Sequence, residues 1–107
     1  MFILARKVKN MKINILGSIY NIKYVKDQTF MYNEDHTGEC DYMNKEILIS
    51  KSNDGDANNK VWQKETLLHE LAHVFMHESG QADINDERHA ELLGKFASFI
   101  LKSISPQ

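Results

Sequence analysis

The sequence predicts a small α+β domain, with strands in its first half and helices in its second. Three observations carry this. The chain has 107 residues, enough for one hydrophobic core and too few for two. Residues 11–50 repeatedly alternate polar and apolar side chains, the two-residue period of a half-buried strand. Residues 59–103 carry apolar side chains at intervals of three and four, the period of a helix with one buried face.

The elements follow in order. Residues 1–10 read as an extension or an upstream start, because the clean strand pattern begins at Met11. Lys12-Ile13-Asn14-Ile15-Leu16 alternates, Gly17-Ser18 is a turn signal, and Ile19 to Val25 alternates again. This predicts a hairpin. A less regular stretch passes through Gln28, Asn33, Asp35 and Gly38. Glu39 to Met43 then reads as a strand, Asn44-Lys45 as a tight turn and Glu46 to Ser50 as a further strand. The single proline, Pro106, interrupts none of them.

Residues 51–59 form a polar loop, and their acids and amides lack the spacing of a calcium-binding loop. A first helix is predicted from about Asn59 to Glu78, stopping near Gly80. A second runs from about Asn85 to Ser103, with Asp83 or Asn85 as its cap. The short connection makes the two helices an antiparallel pair. The chain therefore reads as one domain over 1–107: a strand-rich half over 11–50 and a two-helix half over 59–103. The sheet is expected to be short, mainly antiparallel and packed on the first helix.

Composition narrows the function. The 13 basic and 15 acidic residues give a formal charge of −2, without the basic excess that binding nucleic acid normally requires. One cysteine, Cys40, excludes an internal disulfide and a four-cysteine zinc cage. No segment approaches the roughly 20 apolar residues of a membrane-spanning helix. The charges near the N-terminus follow its apolar patch, the reverse of a secretory signal. The simplest reading is a cytoplasmic protein.

The chemistry gathers in His69-Glu70-Leu71-Ala72-His73. Two histidines four apart stand on one face of a helix, about one turn from each other, where both imidazoles can grip one zinc ion. Glu70 is rotated by only about 60° from His73, so its carboxylate can reach a zinc-activated water without binding the metal. Leu67, Leu68, Leu71, Ala72, Val74 and Phe75 cover the other arc and are expected to face the core. His77 continues the series but lies about 12 Å along the axis from His69, too far to join the same ion. It reads as a solvent-facing residue.

Zinc needs a third protein ligand. The second helix offers Glu87, His89 and Glu91. Glu87 fits the third ligand, and Glu91 fits a carboxylate that accepts an N–H from a ligating histidine. The swapped assignment and His89 stay open. Ala90, Leu92, Leu93, Phe96, Ala97 and Ile100 are expected to build this helix's core face. Gly94 and Ser98, on the side of the glutamates, would let another helix approach closely.

Leu67 to His73 followed by Asn85 to Glu91 resembles the gluzincin pattern of zinc peptidases. The small size and the strand-rich first half resemble the minimal zincin domains of the ImmA/IrrE family, found in bacterial phages and mobile elements. The resemblance is strongest over residues 67–77 and extends over 84–97. The interval from His73 to Glu87 is shorter than in larger gluzincins, and no companion DNA-binding segment is recognisable.

The resemblance implies a zincin-like fold holding one zinc ion, with His69, His73 and Glu87 as ligands, Glu70 as general base and Glu91 supporting a histidine. It implies an endopeptidase whose partner is an extended protein or peptide substrate that pairs with an edge strand. Ile47-Leu48-Ile49-Ser50 is the candidate edge, with an internal core strand as its alternative reading. Tyr20, Tyr24, Tyr32, Tyr42, His36 and His89 are chemically able to stabilise an oxyanion, and the sequence selects none of them. Two other function classes stay open: a zinc-binding interaction module without turnover, and a metal-free regulatory protein.

Overall fold

The computed structural model describes residues 11–25, 38–50 and 59–104. The N-terminal ten residues, Tyr32, His36 and the polar loop at 51–58 lie outside the described residues. Strands β1 (Met11–Ile15) and β2 (Ser18–Val25) form the predicted hairpin. Its turn falls on Leu16-Gly17 rather than Gly17-Ser18, with φ of 52° and 95°. Two residues at positive φ match the right-handed twist of the strands they join. Asn14 Oδ1 accepts the Gly17 N–H at 2.8 Å.

Strand β3 (Gly38–Asp41) is joined to β4 (Glu46–Ser50) by a turn. The turn begins earlier than the sequence suggests, because the Asp41 carboxylate accepts the Asn44 backbone N–H at 3.0 Å and its amide at 2.9 Å. The strand order is β1-β2-β4-β3. The outer pairs are antiparallel, and β2 pairs with β4 in parallel. Two of the three pairings are antiparallel, as expected of a mainly antiparallel sheet, and the parallel β2–β4 pairing makes the sheet mixed. β4 is interior, so Ile47–Ser50 is not the edge. Ile47 and Ile49 are fully buried beside Tyr20, Ile22 and Val74, and a strand that apolar belongs in the centre. Among the described residues the edge strands are β1 and β3, and β3 is the one beside β4.

Helix α1 spans Asn59–Glu78, as the sequence predicts. It ends at Gly80, whose φ is 81°. The Gly80 N–H reaches the His77 carbonyl and the Gln81 N–H the Met76 carbonyl, the paired bonds of a Schellman stop. Glu78 anchors this end to the sheet, accepting from Ser18 Oγ and Tyr20 Oη, each at 2.7 Å, and from Lys45 Nζ at 3.3 Å. Those donors pull its carboxyl down to about 2. On α1, Ala72, Val74 and Met76 are buried, whereas Phe75, expected in the core, is 49% exposed.

A 3-10 turn at Ala82–Ile84 leads into α2 (Glu87–Ser103). Its cap is Asp86, not Asp83 or Asn85, and Asp86 Oδ1 accepts the His89 N–H at 2.9 Å. α2 packs on α1 through Ala90 and Gly94, both buried. Leu92 and Phe96, expected on the core face, are 66% and 61% exposed, and Leu93 is also exposed. The helix turns its small residues inward, and it lies so close to α1 there that a Cβ at position 94 would stand 3.2 Å from His69 Cα. Among the described residues no helix is long and apolar enough to cross a membrane.

Candidate metal centre

Helix α1 presents His69, Glu70 and His73 to a cleft of about 1010 Å³, walled by β3 on one side and α2 on the other. The two imidazoles stand edge to face, with ring centres 5.0 Å apart. The close helix packing at Gly94 brings the first turn of α2 against them. Glu87 Oε1 lies 2.9 Å from His69 Nε2, and its Oε2 lies 3.2 Å from His73 Nε2. These separations approach the edge of a zinc tetrahedron, about 3.3 Å for bonds of about 2.0 Å. His69, His73 and Glu87 are the group of described residues whose donor atoms, all within 4.8 Å of one another, fit a single metal ion.

The opposite ring nitrogens are held by other partners. Glu91 Oε1 is 3.2 Å from His69 Nδ1, and Asn85 Oδ1 is 2.6 Å from His73 Nδ1. With a metal ion bound between the two rings, a carboxylate or amide oxygen there would accept the Nδ1 proton and free each Nε2 lone pair for the ion. The two glutamates thus stand in different places: Glu87 bridges both Nε2 atoms, while Glu91 meets His69 from behind. His89 turns away and contacts Asp86 at 2.8 Å. His77 is exposed and stacks on Tyr42, with ring centres 4.0 Å apart.

Glu70 is buried, with 7% of its surface exposed. Burial raises its carboxyl above the usual range, while the Cys40 thiol and the two histidines pull the other way. Glu87 shows the opposite balance. Desolvation pushes it up, but the contacts with His69 and His73 outweigh this and leave it lowered, hence ionised near neutral pH.

Of the tyrosines and histidines able to donate to an oxyanion, Tyr42 lines the cleft. Its hydroxyl accepts from Asn85 Nδ2 at 3.1 Å, and burial pushes its pKa up to about 12, so it keeps its proton. Tyr20 is committed to Glu78 on the sheet side.

Sequence reasoning missed two contributors. Asn85 was readable only as a cap, because no local pattern links it to a histidine twelve residues earlier. Cys40 was readable only as an unpaired cysteine, yet its Sγ lies 3.0 Å from Glu70 Oε1. No protein-family model, curated protein sequence or solved structure matches this chain.

Proposed function

We propose that this chain is a zinc-dependent endopeptidase that hydrolyses a peptide bond in a protein substrate. One observation carries the reading: two imidazole Nε2 atoms from α1 and one carboxylate from α2 converge on a single point beside a buried glutamate. His69, His73 and Glu87 would hold the zinc. Bound there, zinc would supply Lewis acidity, lowering the pKa of a coordinated water toward about 7.

The chain's own groups do the rest. Glu70, whose basicity burial strengthens, takes the proton from the attacking water and returns it to the leaving amine. Tyr42 offers an O–H to the developing oxyanion. Among the described residues no strand pairs with the outer edge of β3, which borders the cleft, so an extended peptide can add to it by main-chain hydrogen bonds and lie across the site.

The test combines metal analysis with two kinds of variant. Purified protein is expected to carry about one zinc per chain, from the single ligand set. Glu70→Gln should keep the zinc and stop cleavage of a proteome-derived peptide library. Glu87→Ala should weaken zinc binding more than Glu91→Ala. Metal-free protein, or undiminished turnover in Glu70→Gln, would overturn the proposal.

A further inference from the structure

We propose that β3 is a clamp for the Glu70 carboxylate, with Cys40 as a positioning residue that fixes one oxygen and Gly38 as the gap that admits the other. This rests on reading Glu70 as the general base. Gly38 and Cys40 are two apart on one strand and so share a face, the face turned toward α1. Cys40 Sγ lies 3.0 Å from Glu70 Oε1 and 3.3 Å from the Glu70 backbone carbonyl. The other oxygen fills the space a side chain would need at position 38. A Cβ there would lie 2.8 Å from Glu70 Oε2, 2.8 Å from its Cγ and 2.9 Å from Thr66 Cγ2. Such contacts are too short for any side chain, so only glycine lets the strand come this close.

The arrangement divides the carboxylate's two oxygens. Oε1 accepts the thiol hydrogen, and Oε2 is left as the oxygen that can exchange a proton with water. A thiol is a weaker donor than a hydroxyl or an amide N–H, so it holds the carboxylate's direction at less cost to its basicity than those donors would. Burial and the nearby Glu70 and Glu87 charges raise the thiol's pKa, so it remains an S–H donor at neutral pH.

Cys40 does not belong to the metal's own donor set, which comprises His69, His73 and Glu87. Its role is therefore to aim the base. Misplacing a reacting group by about 1 Å can cost about a hundredfold in rate, which sets the scale of what the clamp protects.

Two readouts test this on the full chain. Cys40 is the sole cysteine, so the protein has a single S–H stretching band. In the wild type that band should fall below the frequency of an unbonded thiol, and Glu70→Ala should raise it. A band that does not move in Glu70→Ala overturns the clamp, whether or not the protein cleaves anything.

Turnover of a fluorogenic peptide library by zinc-loaded protein is the second readout. Cys40→Ala should lower kcat about tenfold or more with little change in KM, because the loss falls on the base. Cys40→Ser keeps a donor and should recover most of the rate. Zinc affinity should be unchanged in both variants. Equal kcat in Cys40→Ala and wild type, or a loss of zinc in Cys40→Ala, overturns the positioning role. A wild type that binds zinc and cleaves nothing overturns the peptidase reading instead, and the S–H band alone then decides the contact.

Discussion

Gly94→Ala tests whether close helix packing builds the proposed metal centre. The added methyl would lie 3.2 Å from His69 Cα and 3.3 Å from His69 N. Carbon contacts are comfortable at about 3.5–4.0 Å, so the helices must separate by about half an ångström. Two energetic effects oppose each other. Alanine gains about 1 kcal/mol over glycine in a helix interior. Overpacking against backbone that cannot swing aside costs about 1–3 kcal/mol. The net change is a loss of about 0–2 kcal/mol in the metal-free protein.

The site is far less tolerant than the fold. Metal sites accept errors of about 0.2 Å in ligand distance, and α2 carries Glu87. Zinc affinity should therefore fall about tenfold or more, out of proportion to the stability change. Competition with a chromophoric chelator measures the affinity, and denaturant unfolding measures the stability. Leu92→Ala, on the exposed side of the same helix, should leave zinc affinity unchanged. Undiminished zinc affinity in Gly94→Ala would refute the claim that this contact sets the ligand geometry.

Two further outcomes follow from single contacts. Asn85→Ala removes the acceptor for His73 Nδ1, and loss of such a supporting contact should weaken zinc binding about 10–100-fold, while Asn85→Asp retains an acceptor and most of the affinity. Glu78 has a folded pKa of about 2 against an ordinary 4.5, so its stabilisation is complete above the ordinary value and is lost as pH falls from there toward about 2. Glu78→Gln should be less stable than wild type near neutral pH and equal to it at about pH 2, in denaturant unfolding run across that range.

Much of this architecture was legible because its signals are local. Alternation marked the β1–β2 hairpin, helical periodicity and Gly80 bounded α1, and four-residue spacing placed His69 and His73 on one face. Glu87 could be shortlisted because it stands one turn from Glu91 on a second helix. What escaped the sequence was non-local. The parallel pairing of β2 with β4 places β3 at the edge, and no property of residues 38–41 announces it. The contacts of Asn85 with His73 and of Cys40 with Glu70 are likewise products of tertiary packing.

The orientation of α2 escaped for a more instructive reason, because two physical rules conflict there. Fully burying a leucine or phenylalanine is worth about 1.5–3 kcal/mol, which favours turning Leu92 and Phe96 inward. Those residues stand about 160° around the helix from Gly94, so burying them against α1 would swing the glutamates away from His69. The fold keeps Gly94 inward and leaves Leu92 and Phe96 exposed. In the metal-free chain, carboxylate–imidazole contacts reward that choice, and contacts to carboxylates as exposed as Glu87 and Glu91 are individually weak. A zinc ion joining His69 and His73 to Glu87 would cross-link the two helices and stabilise the orientation that hydrophobic burial alone disfavours. A local rule broken for weak compensating contacts is what a binding site is expected to produce, and here the break falls on the helix that carries Glu87, the proposed third ligand.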